Sequence, residues 1–181
     1  MRALMQVLAL VMGLQCVGCT RAASVPMTLK LARLDTPSAF KQPLSASAGP
    51  VTLLIFFEDQ CKFCLQTMRD AQALADKNAD TLAVVFVGVG SDRAKLNRWA
   101  NRIEANRIGA SAVKLQASTQ LLALVDGVRA TPKLVWLNAK GEILAQSVGD
   151  PGPAALAYTL AKLLAVNLDW RVAPLDAQTQ R

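Results

Sequence analysis

From residue 51 to about residue 166 the chain alternates apolar runs with segments of helical periodicity. VTLLIFF, 51–57, is continuous apolar sequence bounded by Gly49-Pro50 and Glu58-Asp59, the pattern of a strand buried on both faces. From Cys61 to about Ala79 there is neither Gly nor Pro, and Leu65, Met68, Ala71 and Ala75 recur at helical spacing. TLAVVFVGV, 81–89, reads as a second buried strand. Leu96, Trp99, Ala100 and Ile103 then mark one apolar face of a helix that Ser91 is placed to cap. Its other face carries Arg93, Lys95, Arg98, Arg102 and Arg107, the densest basic patch in the chain and by default a solvated surface. A short strand around 112–115 and a short helix from Thr119 to Val125, ended by Gly127, follow. VRATPKLVWLNAKGEILAQSVG predicts turn, strand, hairpin and strand, with Asn138-Ala139-Lys140-Gly141 as the loop. Gly149 to Pro153 breaks the chain, and a last amphipathic helix runs from about Ala154 to Val166.

The order β–α–β–α–β–α–β–β–α describes a single α/β domain, parallel in its first half and closed by an antiparallel hairpin. Residues 51–166 carry that domain, and 167–181 form a polar tail. Residues 19–50 are rich in Ser, Ala, Pro and Gly and read as a tether, apart from an edge strand suggested by MTLKLARL, 27–34. There are no internal repeats.

Residues 1–18 change the cellular setting. One early Arg precedes an apolar stretch from Ala3 to about Val17, short for the roughly 20 residues of a spanning helix but suited to a signal peptide. Cys16-Val17-Gly18-Cys19 resembles a lipobox, with Cys19 as the lipidated residue, although Cys16 stands where Leu is usual. A competing cleavage site follows Thr20-Arg21-Ala22, and an uncleaved short anchor is the third reading. All three place the domain outside the cytoplasm, in the periplasm or exported, with membrane attachment through a lipid anchor in the first.

The 181 residues are 52% hydrophobic and 18% charged, which excludes a disordered chain. The net charge of +7 favours acidic surfaces or partners, and no aromatic–basic stripe argues for nucleic acid. Of the four cysteines, two go with the leader or serve as its anchor. Cys61 and Cys64 then stand alone in an oxidising compartment.

A pair at i and i+3 at the start of a helix is close enough for its sulfurs to bond. Cys61, at or just before the helix N-terminus and followed by Lys62, has its thiolate favoured by the terminal amides and by the lysine charge. Cys64, one turn inside, suits the resolving role. Cys61 would attack a substrate disulfide and Cys64 would then release the reduced substrate, or the reverse would oxidise it. A structural zinc site needs four ligands, and the chain has no His and no second retained C-x-x-C, so no metal or other cofactor is expected. A static disulfide closing so short a loop would stabilise little.

Three features over about residues 51–165 resemble the thioredoxin-like superfamily, in particular its exported TlpA/ResA/DsbE-like branch. They are the buried strand leading into Cys61-Lys62-Phe63-Cys64, Ala130-Thr131-Pro132 before a strand, and LVWLNAKGEIL after it. The resemblance implies an α/β thioredoxin-like fold, a mixed central sheet flanked by helices. A TlpA-type insertion would lie between the C-x-x-C helix and the cis-proline loop. It also implies that Pro132 is cis beside the cysteine pair, and that the backbone of Thr131 pairs with an extended substrate segment. Protein disulfides or dithiols would be the substrates, with a membrane electron donor or acceptor.

The chain departs from the family at several positions. The acid commonly buried six residues before the first cysteine is Ile55 here; nearby Glu58 and Asp59 are candidates to relay a proton to Cys64, and by default both are solvated residues at a strand end. The usual Trp before the first cysteine is Gln60, and Lys62-Phe63 lacks the common Pro. An aromatic before the second cysteine is reminiscent of DsbC/DsbG-like isomerases, and Phe63 is a candidate substrate contact. Two functions therefore compete: an exported protein-disulfide oxidoreductase, and a redox-inactive thioredoxin-fold lipoprotein acting as a binding or assembly module.

Overall fold

The computed structural model describes residues 30–33, 41–43, 50–90, 92–108 and 113–168. Its strands are β1 (Lys30–Arg33), β2 (Lys41–Pro43), β3 (Val51–Phe57), β4 (Leu82–Gly88), β5 (Val113–Gln116), β6 (Lys133–Asn138) and β7 (Ile143–Val148). The helices are α1 (Cys64–Lys77), α2 (Arg93–Ala105), α3 (Thr119–Leu124) and α4 (Gly152–Leu168). The strands form one mixed sheet in the order β2-β1-β5-β4-β3-β6-β7.

The uninterrupted apolar run predicted the position of β3. It is buried along its whole length, between parallel β4 and antiparallel β6. Its alternate residues serve two cores. Val51, Leu53, Ile55 and Phe57 pack with Met68 and Ala71 of α1, Leu96 and Ile103 of α2, and Leu156 and Leu160 of α4. Leu54 and Phe56 pack on the opposite face with Leu121 of α3 and Val125. Each fully buried Leu, Phe or Met side chain contributes about 1.5–3 kcal/mol, so both ends of the strand are firmly fixed.

The β6–β7 hairpin turns at the expected loop. Asn138 Oδ1 accepts from the amides of Lys140 and Glu142 at 2.9 and 3.0 Å, and Gly141 takes a φ of +80°, a region side-chain-bearing residues rarely enter.

Three expectations need correction. The segment expected at the sheet edge, 27–34, contributes β1, which is an inner strand because β2 pairs outside it and β5 inside it. The stretch read as a tether thus supplies two strands to the sheet. KQP has no apolar pattern, and it pairs antiparallel with β1. The side chain that caps α2 is Asp92, whose carboxylate accepts from the Lys95 amide at 3.0 Å, while Ser91 lies outside the described residues. The leader, the lipobox candidate Cys19 and the tail beyond Leu168 also lie outside them. No described helix is long and apolar enough to cross a membrane.

Candidate active site

Strand β3 ends at Phe57, and the chain runs through Glu58, Asp59 and Gln60 into Cys61 before α1 begins. The Cys61 amide donates to Glu58 O at 3.3 Å, closing this loop into a turn. Cys64 is the first residue of α1, not a residue one turn inside it, and Phe63 occupies the cap position. A phenylalanine supplies no acceptor, so no side chain satisfies the amides of the first turn, and that turn holds no acidic residue. Cys61 precedes this end of the helix, where amides and dipole both favour negative charge.

Cys61 and Cys64 are joined in a disulfide, with Cα atoms 5.5 Å apart. The two residues are not equally enclosed. Cys61 is 8% exposed and Cys64 fully enclosed, and both belong to the larger core cluster. Phe63 between them is 62% exposed, so it presents its ring to solvent instead of packing. Lys62 is also exposed.

The Thr131–Pro132 peptide bond is cis. Pro132 is buried at the head of β6, and its carbonyl accepts from the Gly149 amide at 2.8 Å. Because β6 lies directly beside β3, with Lys133 opposite Phe56, this loop and the cysteine loop emerge from neighbouring strands at one end of the sheet. A side-chain bond links them: Thr131 Oγ1 donates to Glu58 Oε1 at 2.8 Å.

The two acids considered for a relay are therefore both engaged. Glu58 is exposed and joined to Thr131. Asp59 is half-buried and held by α2, with Lys95 Nζ 3.7 Å from its carboxylate and its carbonyl accepting from Trp99 Nε1. Glu58 stays at the solvated surface, as expected, while Asp59 is partly enclosed. Trp99, read from the sequence only as part of an apolar face, also meets the Phe57 ring at 5.7 Å between centroids. A second unforeseen contact joins α1 to the start of α4. Thr67, one turn after Cys64, donates to Asp150 at 3.1 Å or to the Phe63 carbonyl at 3.2 Å. The Asp150 carboxylate also accepts from the Gly152 amide. Polar spacing gave no signal for either contact, because the partners lie 40 and 83 residues apart.

Behind the site, Lys133 is buried and its ammonium donates to the carbonyls of Val125 and Gly127 at the end of α3. Burial pushes its pKa below the usual lysine value; Asp126 acts against this shift and Arg129 adds to it. Among the described residues no cluster of acids and cysteines is arranged to hold a metal ion.

A central strand delivering a C-x-x-C pair to a helix start, beside a cis X-Pro bond on the next strand, defines the thioredoxin-like class of α/β fold. The family model of the thioredoxin-like domain matches residues 42–164, and the chain belongs to that family. Solved structures agree with the fold. A thiol:disulfide interchange protein of Chlorobium tepidum is 16% identical with a TM-score of 0.64, covering 81% of this chain and 99% of its own. The exposed lipoprotein thioredoxin of Streptococcus pneumoniae is 20% identical with a TM-score of 0.59, covering 74% and 98%. A secreted Mycobacterium tuberculosis disulfide oxidoreductase, described as homologous to Escherichia coli DsbE, is 16% identical with a TM-score of 0.57, covering 75% and 96%. No curated protein matches the chain.

Proposed function

We propose that this chain is an exported thiol–disulfide oxidoreductase that reduces or isomerises disulfides in partner proteins. The observation that carries the reading is the unequal burial of a bonded Cys61–Cys64 pair at the head of α1. In the reduced protein the Cys61 thiolate attacks one sulfur of a substrate disulfide, and the other substrate sulfur leaves as a thiolate that takes up a proton. The enclosed Cys64, deprotonated, attacks Cys61, expels the remaining substrate thiolate and leaves the pair oxidised. A membrane-bound dithiol donor would then return two electrons. Thr131 and Pro132 would line the approach for an extended substrate segment, with Phe63 as an apolar contact and Lys62 favouring the thiolate.

Export is supported by the leader-like residues 1–18 and by the secreted and lipoprotein relatives of the same fold. Cys19 would carry the lipid anchor on the outer side of the membrane. Residues 51–166 would act as the catalytic unit.

The test is a Cys64→Ala variant expressed in the native host. Discrete mixed disulfides on Cys61 are expected, and they would name the substrates. If none form, and a strain with both cysteines replaced by Ala behaves as wild type, the chain is a binding module instead. A redox titration of the wild-type pair gives the direction of electron flow.

A further inference from the structure

We propose that the basic face of α2, together with Lys62, is a docking surface for an acidic segment of the disulfide-bearing partner protein. The proposal rests on the oxidoreductase reading of the cysteine pair.

The helix is fastened to the reactive loop. Trp99 and Lys95 both hold Asp59, two residues before Cys61. Lys95, Arg98 and Arg102 lie at i, i+3 and i+7 and share one face. At 1.5 Å per residue, Arg102 stands only about 10 Å along the axis from Lys95. The Arg102 guanidinium is positioned over the Trp99 ring, 5.3 Å from its centroid. Arg69 of α1 extends the belt, reaching Asn106 just past the end of α2 at 3.3 Å.

The charge of this face is only partly offset locally. Between Arg98 and Arg107 the only acid is Glu104, against Arg98, Arg102 and Arg107. Two neighbouring acids offset part of it, Asp92 at the cap and Asp59 against Lys95, and the remaining balance is positive. Arg98 and Arg107 have no acidic partner among the described residues. A positive strip of this kind attracts acidic surfaces and raises encounter rates. A protein is favoured over a lipid surface because the strip begins at the loop that bears Cys61 and the exposed Phe63. Whatever docks there is delivered to the sulfur.

The experiment uses the reduced protein and two synthetic peptides, each with one cysteine capped as a 2-pyridyl disulfide. One peptide flanks the cysteine with Asp and the other with Lys. The Cys61 thiolate attacks the peptide sulfur and 2-thiopyridone leaves; Cys64 then attacks Cys61 and the peptide thiolate departs. Wild type is expected to react at least about tenfold faster with the acidic peptide at low salt, the preference fading toward 1 M salt as the screening length shrinks to about 3 Å.

Arg98→Glu/Arg102→Glu should abolish or invert the preference, and Arg98→Glu alone, which breaks no described contact, should reduce it several-fold. Lys140→Glu, the same charge change on the distant hairpin, should leave it intact. Equal rates for the two peptides in wild type would overturn the proposal. So would loss of binding to phosphatidylglycerol vesicles in the double variant with the peptide preference unchanged, which would assign the strip to a membrane. Neutral 2,2′-dithiodipyridine separates the two readings. If wild type fails to react with it, the oxidoreductase reading fails; if it reacts without charge preference among peptides, only the docking surface does.

Discussion

Thr131 Oγ1 donates a 2.8 Å hydrogen bond to Glu58 Oε1, joining two loops that lie 73 residues apart in the chain. This bond gives Glu58 a positioning role in the site, since it ties the cysteine loop to the cis-proline loop. Thr131→Val should cost under about 1 kcal/mol of stability, because the pair is exposed. It should slow attack on a peptide disulfide about three- to tenfold by loosening the approach. Glu58→Gln retains an acceptor and should react almost as wild type, whereas Glu58→Ala should match Thr131→Val. Stopped-flow rates for the three variants check this, and a Glu58→Gln defect as large as that of Glu58→Ala would point to proton transfer instead.

Trp99 bridges α2 and the cysteine loop. It is buried, meets Phe57 and donates to the Asp59 carbonyl. Trp99→Ala should cost about 3–5 kcal/mol in urea denaturation of the oxidised protein. Trp99→Phe keeps an aromatic ring against Phe57 but leaves the carbonyl unpaired, so about 1–3 kcal/mol is expected from that loss.

Thr52 offers a gain. It lies on the fully buried strand β3, and its hydroxyl has no hydrogen-bond partner among the described residues. Thr52→Val keeps the branched shape and removes a desolvated hydroxyl, so a stabilisation of about 1 kcal/mol is expected by denaturation. A loss of stability would mean that the hydroxyl is satisfied.

Lys133 predicts a pH dependence with a definite sign. Burial lowers its pKa in the folded protein, so between that value and the ordinary 10.5 the unfolded chain binds more protons. Stability attributable to Lys133 is therefore smallest below the folded-state pKa and rises as pH increases toward the ordinary value. The stability difference between wild type and Lys133→Met should move in favour of wild type from about pH 7 to about pH 10. Denaturant titrations of both oxidised proteins measure this, and a flat difference would refute it.

The sequence made the interior of the fold legible where a pattern was long enough to carry a period. β3 and β4 were continuous apolar runs, α1 and α2 had buried stripes, and the Asn138–Gly141 turn had its own chemistry. β1 and β2 are too short for a period, and their place depends on register with strands far away in sequence. At the candidate site, Cys61, Cys64 and Pro132 can be singled out because motif order carries them. The contacts of Asp59, Thr67 and Glu58 were not, because each partner is brought near only by the folded sheet and the helices on it. Phe63 shows the limit in another way: spacing identified it, and only the structure separates a displayed ring from a packed one.

The different enclosure of the two cysteines has a temporal consequence. In the proposed reaction an incoming partner meets Cys61, while its covalent capture ends only when Cys64 moves onto that sulfur from inside the core. The lifetime of the captured complex then depends on the access of Cys64 to that sulfur as well as on the partner. The protein thus holds one of the two clocks for each encounter, and the ease with which the partner's thiolate leaves holds the other.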